Sequence, residues 1–275
     1  MDVDAPDSCS IRAWRPEVPG IAEVFHAHIE GWSYPQHAHD SWTVLILDEG
    51  AISFSMEKRD RDVSGGVVAL IPPGVVHDGR PAPGAPDGFH KRNLYLDPSF
   101  LPPDLTGRAV DRTNLDDGPL RRTISAIHHG LLRGEHPMHA EERLALVADR
   151  VAEHLRTGAP ADPTRMRGDR ADQLRDLLDL HATEPYLLRE AAEELGASVS
   201  SLVRDFRGRF DLTPHAYLVG RRVEHARRLL LTGVPPAEAA VLSGFHDQAH
   251  LTRHFRRHVA TTPGRYARSG APSAA

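Results

Sequence analysis

Hydrophobic positions change their period along the chain. From about Ile21 to Leu96 they come in short runs such as Thr43-Val44-Leu45-Ile46-Leu47, Ile52-Ser53-Phe54-Ser55 and Val67-Val68-Ala69-Leu70-Ile71. Turn clusters separate the runs: Asp48-Glu49-Gly50, Ser64-Gly65-Gly66 and the proline-rich Pro81-Ala82-Pro83-Gly84-Ala85-Pro86. Many short strands at near-regular spacing predict a sandwich or barrel. After about Asp117 the period becomes helical. Leu120, Ile124, Ile127 and Leu131 share one helix face, and Leu144, Val147, Val151 and Leu155 share another, with Gly134 through Pro137 between them. This pattern predicts an αα-hairpin whose apolar stripes pack on the barrel or pair with a second chain. Gly158 through Thr164 reads as a linker.

From about Asp169 to Tyr266 the chain is helical and repeats itself. Ala191-Ala192-Glu193-Glu194-Leu195-Gly196 is echoed by Ala239-Ala240-Val241-Leu242-Ser243-Gly244. Leu202-Val203-Arg204-Asp205-Phe206-Arg207 is echoed by Leu251-Thr252-Arg253-His254-Phe255-Arg256, and Thr213-Pro214 with Tyr217 by Thr262-Pro263 with Tyr266. Three patterns repeated in one order mark a structural repeat. Each copy has the grammar of a helix-turn-helix. The alanine pair lets two helices cross closely, the glycine frees the turn, and the Leu and Phe at i, i+4 bury one face of the second helix. Asp247 is placed to cap the second helix of copy two. Pro214 to Thr232 reads as a connecting helix with Pro in its first turn and Gly233 after its end. Its length of roughly 28 Å would hold two recognition helices for successive major grooves, which recur every ~34 Å.

Composition and charge sharpen this picture. The net charge is −5, which alone argues against nucleic acid, but it is unevenly spread. Residues 1–164 carry −9, while from Val199 onward 12 Arg stand against 5 acidic residues, a net +7. An acidic body joined to a basic end suggests a polyanion partner for that end. Basic residues are 31 Arg and two Lys, Lys58 and Lys91. The single Cys9 excludes a disulfide framework and a multi-thiolate metal site. No apolar run approaches the ~18–20 residues of a membrane span, and the acidic Met1-Asp2-Val3-Asp4 start is unlike a signal peptide, so the expected location is cytoplasmic, with no membrane partner.

The last hundred or so residues resemble the AraC/XylS family of bacterial transcription regulators. The resemblance rests on Leu195-Gly196, on Leu218 through Leu230 (LVGRRVEHARRLL), on Ser243-Gly244-Phe245, on Gln248 through Phe255 (QAHLTRHF), and on Thr262-Pro263-Gly264-Arg265-Tyr266. It implies that Ser200, Val203 and Arg204 present to bases from the first recognition helix, and Gln248, Ala249, His250, Thr252 and Arg253 from the second. Val203 and Ala249 are departures toward apolar side chains that suit thymine methyls. Arg207, Arg256 and Arg257 are expected on phosphates, which position without specifying sequence. Arg222 is expected to pair with Glu238 inside the domain, and His254 and His258 to be solvated.

In the strand-rich half, His37-Ala38-His39 and Pro72-Pro73-Gly74-Val75-Val76-His77 resemble the two cupin motifs, HxH followed by PxGxxH. An HxH on one strand points both rings the same way, and a third His on a facing strand could complete a metal site. The cupin carboxylate four residues after the second His is here Thr43. Three imidazoles could still bind zinc, whereas a non-haem iron site wants a carboxylate. The missing carboxylate favours a structural or ligand-lining role over metal, so no metal and no cofactor are expected. The ligand-binding domains of the resembled family share such a barrel, which implies an effector pocket around His37, His39, Trp42, His77 and Tyr95. Core packing competes for each aromatic.

The expected fold class is multidomain: an all-β cupin-like jelly-roll barrel plus αα-hairpin, then an all-α double helix-turn-helix. Residues 1–105 form the effector-binding barrel, with Met1 to Gly20 as an arm or plain disorder. Residues 106–157 form the hairpin, a possible dimerisation element, residues 158–168 the linker, and residues 169–275 the DNA-binding domain. The expected function is effector-responsive transcription regulation without enzymatic activity. Its partners would be promoter DNA, a small-molecule effector, RNA polymerase and a second copy in a homodimer. A metal-dependent cupin oxygenase or isomerase carrying a DNA-binding tail is the competing reading.

Overall fold

The computed structural model describes residues 9–84, 88–157 and 169–270. In chain order the first half comprises β1 (Ser10–Trp14), β2 (Ile21–Glu30), β3 (Tyr34–His37), β4 (Trp42–Glu49), β5 (Ala51–Met56), β6 (Arg59–Ser64), β7 (Val68–Ile71), β8 (His77–Pro81) and β9 (Gly88–Leu96). There follow α1 (Thr106–Asp111), β10 (Asn114–Leu115), α2 (Gly118–Leu132) and α3 (Pro137–Arg156). The second half is α4 (Arg170–Leu180), α5 (Leu188–Glu194), α6 (Val199–Phe210), α7 (Pro214–Leu231), α8 (Pro236–Leu242), α9 (Gln248–Val259) and α10 (Pro263–Arg268).

The strands form two antiparallel sheets, β1-β2-β9-β4-β7-β10 and β3-β8-β5-β6. Alternation along the larger sheet builds two cores. Leu45, Leu47, Phe25 and Tyr95 point between the sheets, while Trp42, Val44, Ile46, Val24 and Leu94 point to the other face. That outer face is covered by the hairpin α2–α3, whose Leu120, Ile124, Ile127, Leu144, Val147, Val151 and Leu155 are buried in the same cluster. Burial on both faces is why β4 reads as an unbroken apolar run. Of the two uses foreseen for the hairpin stripes, the structure takes packing on the barrel. Asp117 fastens the two arms: it accepts from Leu120 N at 2.9 Å to cap α2 and pairs with Arg150 and His154 of α3 at 2.7 and 2.6 Å.

Two expectations need correction. The region Met1 to Gly20 is not all arm, because Ser10–Trp14 is a strand in register with Val24–His28; Met1–Ser8 lie outside the described residues. The barrel does not end at residue 105, since β10 pairs with β7 and continues the larger sheet. The foreseen linker 158–168 lies outside the described residues.

The helical repeat holds to fine detail. Helices α5 and α8 are 7 residues each and α6 and α9 are 12 each. The starts of α5 and α8 lie 48 residues apart and those of α6 and α9 lie 49 apart, the offsets of the sequence echoes. Both second helices end on a left-handed residue, Asp211 (φ 57°) and Ala260 (φ 60°). The turn glycines Gly196 and Gly244 also have positive φ, as this motif requires. Leu202, Phe206, Leu251 and Phe255 are fully buried, and Asp247 caps α9 by accepting from His250 N.

Barrel and helical half are joined by one apolar core. The cluster between the sheets runs on without a break into Val223, Ala226, Leu230, Phe245, Leu251, Phe255, Val259 and Tyr266. Helix α7 presents Gly220, Glu224 and Arg227 to the barrel at i, i+4, i+7. A Cβ on Gly220 would already touch His37.

Candidate functional site

A cavity of about 50 Å³ lies where α7 and α9 close the space between the sheets. The barrel contributes His37, His39, His77, Lys91, Asn93 and Tyr95 among others, and the helical half contributes Arg227, His258 and Val259. Trp42 is not in it. Since β4 alternates, Thr43 and Leu45 face the cavity, while Trp42 turns to the hairpin side and packs on Phe100.

The three histidines converge. His37 ends β3 directly opposite His77 of β8, and His39 follows just past the strand. Ring centroids are 4.4 Å apart for His37 and His77, 4.7 Å for His37 and His39, and 5.2 Å for His39 and His77. Each Nδ1 is turned outward to a protein acceptor. His37 donates to Pro35 O at 2.7 Å, His77 to Val75 O at 3.0 Å, and His39 to the carboxylate of Glu224 on α7. Burial favours the neutral imidazole in all three, taking His77 down to about 4 and the other two well below the usual histidine range.

Two further charges are buried here. Arg227 from α7 donates to Glu23 at 2.7 Å and to Tyr266 Oη at 3.2 Å, and its guanidinium lies 4.7 Å over the ring of Tyr95. Lys91 sits 4.0 Å over the ring of Tyr34, and burial, aided by Arg227, brings its ammonium down to about 7. Glu23, Lys91, Glu224, Arg227 and His258 escaped the sequence reading. Lys91 stood out in the sequence only as one of two Lys among 31 Arg. Lys58, the other one, reaches across to Gly208 O of α6.

On the opposite face of the helical half, Ser200, Arg204 and Arg207 of α6 and Gln248, Ala249, Arg253 and Arg257 of α9 are exposed. Val203, His250, Thr252 and Arg256 are partly exposed. Among the described residues, Arg204 and Arg253 make no hydrogen bond or ion pair. Thr252 donates to Gln248 O at 2.7 Å. Arg222 does stay within the domain, but it bonds Ala182 O and Glu184 O in the turn after α4 instead of Glu238. His258 is not solvated: it donates to His254 O and lines the cavity. His254 is half-buried beside Phe245 and His250, and burial lowers it to about 4.

A β-rich body with a cavity, joined to two helix-turn-helix units with free arginines, defines a DNA-binding regulator with a ligand-binding domain. Comparison with known proteins agrees. Residues 20–148 match the AraC-like ligand binding domain and residues 191–269 match a helix-turn-helix domain family. The chain is 26% identical over 245 residues to the uncharacterized HTH-type transcriptional regulator YbfI of Bacillus subtilis, covering 82% of this chain and 86% of that one. It is 24% identical over 242 residues to the HTH-type transcriptional activator RhaS of Klebsiella pneumoniae, covering 84% and 86%. The fold resembles ToxT from Vibrio cholerae, with a TM-score of 0.57 at 10% identity over 96% of this chain and 98% of that one. The chain belongs to the AraC family of transcriptional regulators.

Proposed function

We propose that occupancy of the cavity sets how the helical half docks on the barrel, and thereby how α6 and α9 meet promoter DNA. One observation carries the reading: the sensor's cavity is walled by both halves, with Arg227, His258 and Val259 coming from the DNA-binding side. A ligand there touches α7 and α9 directly, so it binds the docked and undocked states differently and shifts their populations. In this reading Ser200, Val203, Arg204, Gln248, Ala249, His250, Thr252 and Arg253 face bases, and Arg207, Arg256 and Arg257 hold phosphates. The name of RhaS as an activator supports engagement of RNA polymerase at the promoter. A homodimer would use faces the barrel leaves open, such as Met138 and Leu146 on α3, which are 56% and 64% exposed. The relatives lend the enzyme reading no support.

The test is a thermal-shift screen of small metabolites and ions on the full chain, followed by DNA titration with each hit. A hit in excess of its Kd raises the melting point. Coupling requires that the same hit change the affinity for promoter DNA. A ligand that stabilises the protein through Tyr95 and His77 yet leaves DNA affinity and footprint unchanged would sink the proposal.

A further inference from the structure

The cavity between the sheets is lined by polar groups that the fold leaves unanswered. Lys91, Asn93 and Tyr95 occupy alternate positions of β9 and turn inward together, and Thr43 of β4 stands opposite Tyr95. Tyr34, Thr43, Lys91 and Asn93 are each at least nine-tenths buried. Among the described residues the hydroxyls of Tyr34 and Thr43 and the amide oxygen of Asn93 have no hydrogen-bond partner. Asn93 Nδ2 donates to Tyr95 Oη at 3.2 Å, which leaves the oxygen end of the amide to the cavity. The ammonium of Lys91, among the same residues, makes no hydrogen bond or ion pair. It is surrounded by the rings of Tyr34, Phe25 and Phe89, with centroids at 4.0, 5.5 and 6.0 Å.

The neighbouring charges are already matched. Arg227 has Glu23, and Glu224 accepts from His39. Asp78 also lines the cavity, but its carboxylate takes the Ser55 N–H and the Arg80 guanidinium. Lys91 is left as a buried cation without a counter-charge, and aromatic faces replace only part of its lost hydration. A cation and three unpartnered polar atoms around one space weaken a core, but they are what a polar ligand needs. The ammonium and the two hydroxyls can all donate, which suits a carboxylate. The oxygen of Asn93 can only accept, so the ligand must also carry a donor. An ammonium in that role would set a second cation beside Lys91, which leaves a hydroxyl. At about 50 Å³ the cavity holds roughly three to five water-sized atoms, taking ~10–15 Å³ for each. A sugar or an acyl chain does not fit.

We propose that this cavity binds a short 2-hydroxycarboxylate of the size of glycolate or lactate, its carboxylate paired with Lys91 and its hydroxyl donated to Asn93. The proposal rests on the cavity being the sensor's binding site and names the class of its occupant. Tyr34 and Thr43 supply the further donors that hold the carboxylate oxygens. The ligand also has a reason to favour docking. Arg227 of α7 closes the same cavity, and its positive charge acts against that of Lys91. An anion between the sheets offsets this repulsion. Anion affinity and docking of α7 are therefore reciprocally linked.

The experiment is calorimetric titration of the full chain with glycolate, lactate, acetate and propane-1,2-diol at constant ionic strength. One equivalent of glycolate or lactate is expected. Acetate lacks the hydroxyl and should bind about 10–100-fold more weakly, since Asn93 stays unpartnered. The uncharged diol should not bind. Lys91→Met should abolish binding of both hydroxy acids. Should that variant fail to fold, Tyr34→Phe and Thr43→Val give the reading, for each keeps its shape, loses one hydroxyl and should weaken binding about tenfold. Absence of binding by both hydroxy acids overturns the proposal, as does binding that survives Lys91→Met or is unchanged in both hydroxyl variants. Acetate bound as tightly as glycolate overturns the part assigned to Asn93. A chain that binds neither hydroxy acid, yet whose DNA affinity responds to another small molecule, retires this ligand class and keeps the sensor. A chain that binds glycolate through Lys91 with no change in DNA affinity keeps the site and retires the sensing.

Discussion

The two helix-turn-helix copies have equal helix lengths and matching left-handed ends to their second helices, yet they are attached to the barrel in different ways. The second copy shares the barrel's core: Phe245, Leu251, Phe255 and Val259 belong to the cluster that fills the space between the sheets. The first copy packs mainly on itself and on α4, taking only Ala38 and Val76 from the barrel. Between α6 and the barrel lies an open groove of about 330 Å³, crossed at its rim by the Lys58 contact to Gly208. This unequal attachment limits the routes between cavity and DNA-reading face. Helix α9 carries Gln248, Ala249 and Arg253 at one end and His258 and Val259 in the cavity wall at the other. A single helix thus runs from the cavity wall to the face proposed for DNA in copy two, while copy one meets the barrel through α7, through Ala38 and Val76, and through the Lys58 contact.

The sharpest way to break this asymmetry is to remove Arg227. Its partner Glu23 would be left buried without its counter-charge, and losing one member of such a pair costs about 3–5 kcal/mol. Arg227→Ala should therefore lower the melting point markedly, and adding Glu23→Leu should restore most of the loss. Equal melts for wild type and Arg227→Ala would show that the second copy is not held this way.

Acidification should act on the barrel's far side at His26, and also on His77 of the cavity and His254 of the second copy, which burial likewise lowers to about 4. His26 packs between Trp14 and His128, and burial followed by Arg92 lowers it to about 4. An unfolded histidine takes a proton near pH 6.5 that the folded one refuses, so stability is full above 6.5 and declines as pH falls toward 4. The loss from His26 is on the order of 3 kcal/mol. Urea midpoints at pH 7, 5.5 and 4.5 should fall in sequence, and less steeply in His26→Gln. A flat profile refutes the assignment.

Next come the reading arginines. Arg253→Ala and Arg204→Ala should each cost about 1–3 kcal/mol of specific DNA binding and relax preference at one base position in their own half of the site. If the attachment argument holds, ligand-dependent changes in the footprint concentrate in the half read by α9. Arg256→Ala should weaken binding to all sequences alike and make the salt dependence shallower. An unaltered base preference in Arg253→Ala would remove it from base readout. The smallest effect is expected for Lys58→Ala. Its contact is exposed, so the melt should stay within measurement scatter, and a large drop would mean that the first copy is anchored after all.

Much of the architecture was legible because it follows from periodicity. The change from β runs to the stripe at Leu120, Ile124 and Ile127, and the 48- and 49-residue echoes, are local patterns, and local patterns survive folding. The clustering of His37, His39 and His77 was legible for the same reason, since two short motifs on neighbouring strands specify it. Trp42 was misplaced because β4 is apolar on both faces, and an unbroken run does not say which residues turn inward. Glu224 and Arg227 were invisible as cavity residues. They lie inside a helix whose own spacing explains them as linker positions, and only docking some 200 residues away from Glu23 and His39 in sequence gives them another task. The solvated reading of His258 failed likewise, for the barrel covers it.

Arg227 and His258 also bear on how such a regulator can be taken apart. The barrel alone would expose an unfinished cavity, open where α7 and α9 should close it. A chimera joining this barrel to another regulator's DNA-binding half would inherit a different wall, and with it a different ligand preference. On the proposed reading, sensor and reader are separable in sequence but share one cavity wall, so a change of ligand specificity in the barrel would call for matching substitutions on α7 and α9.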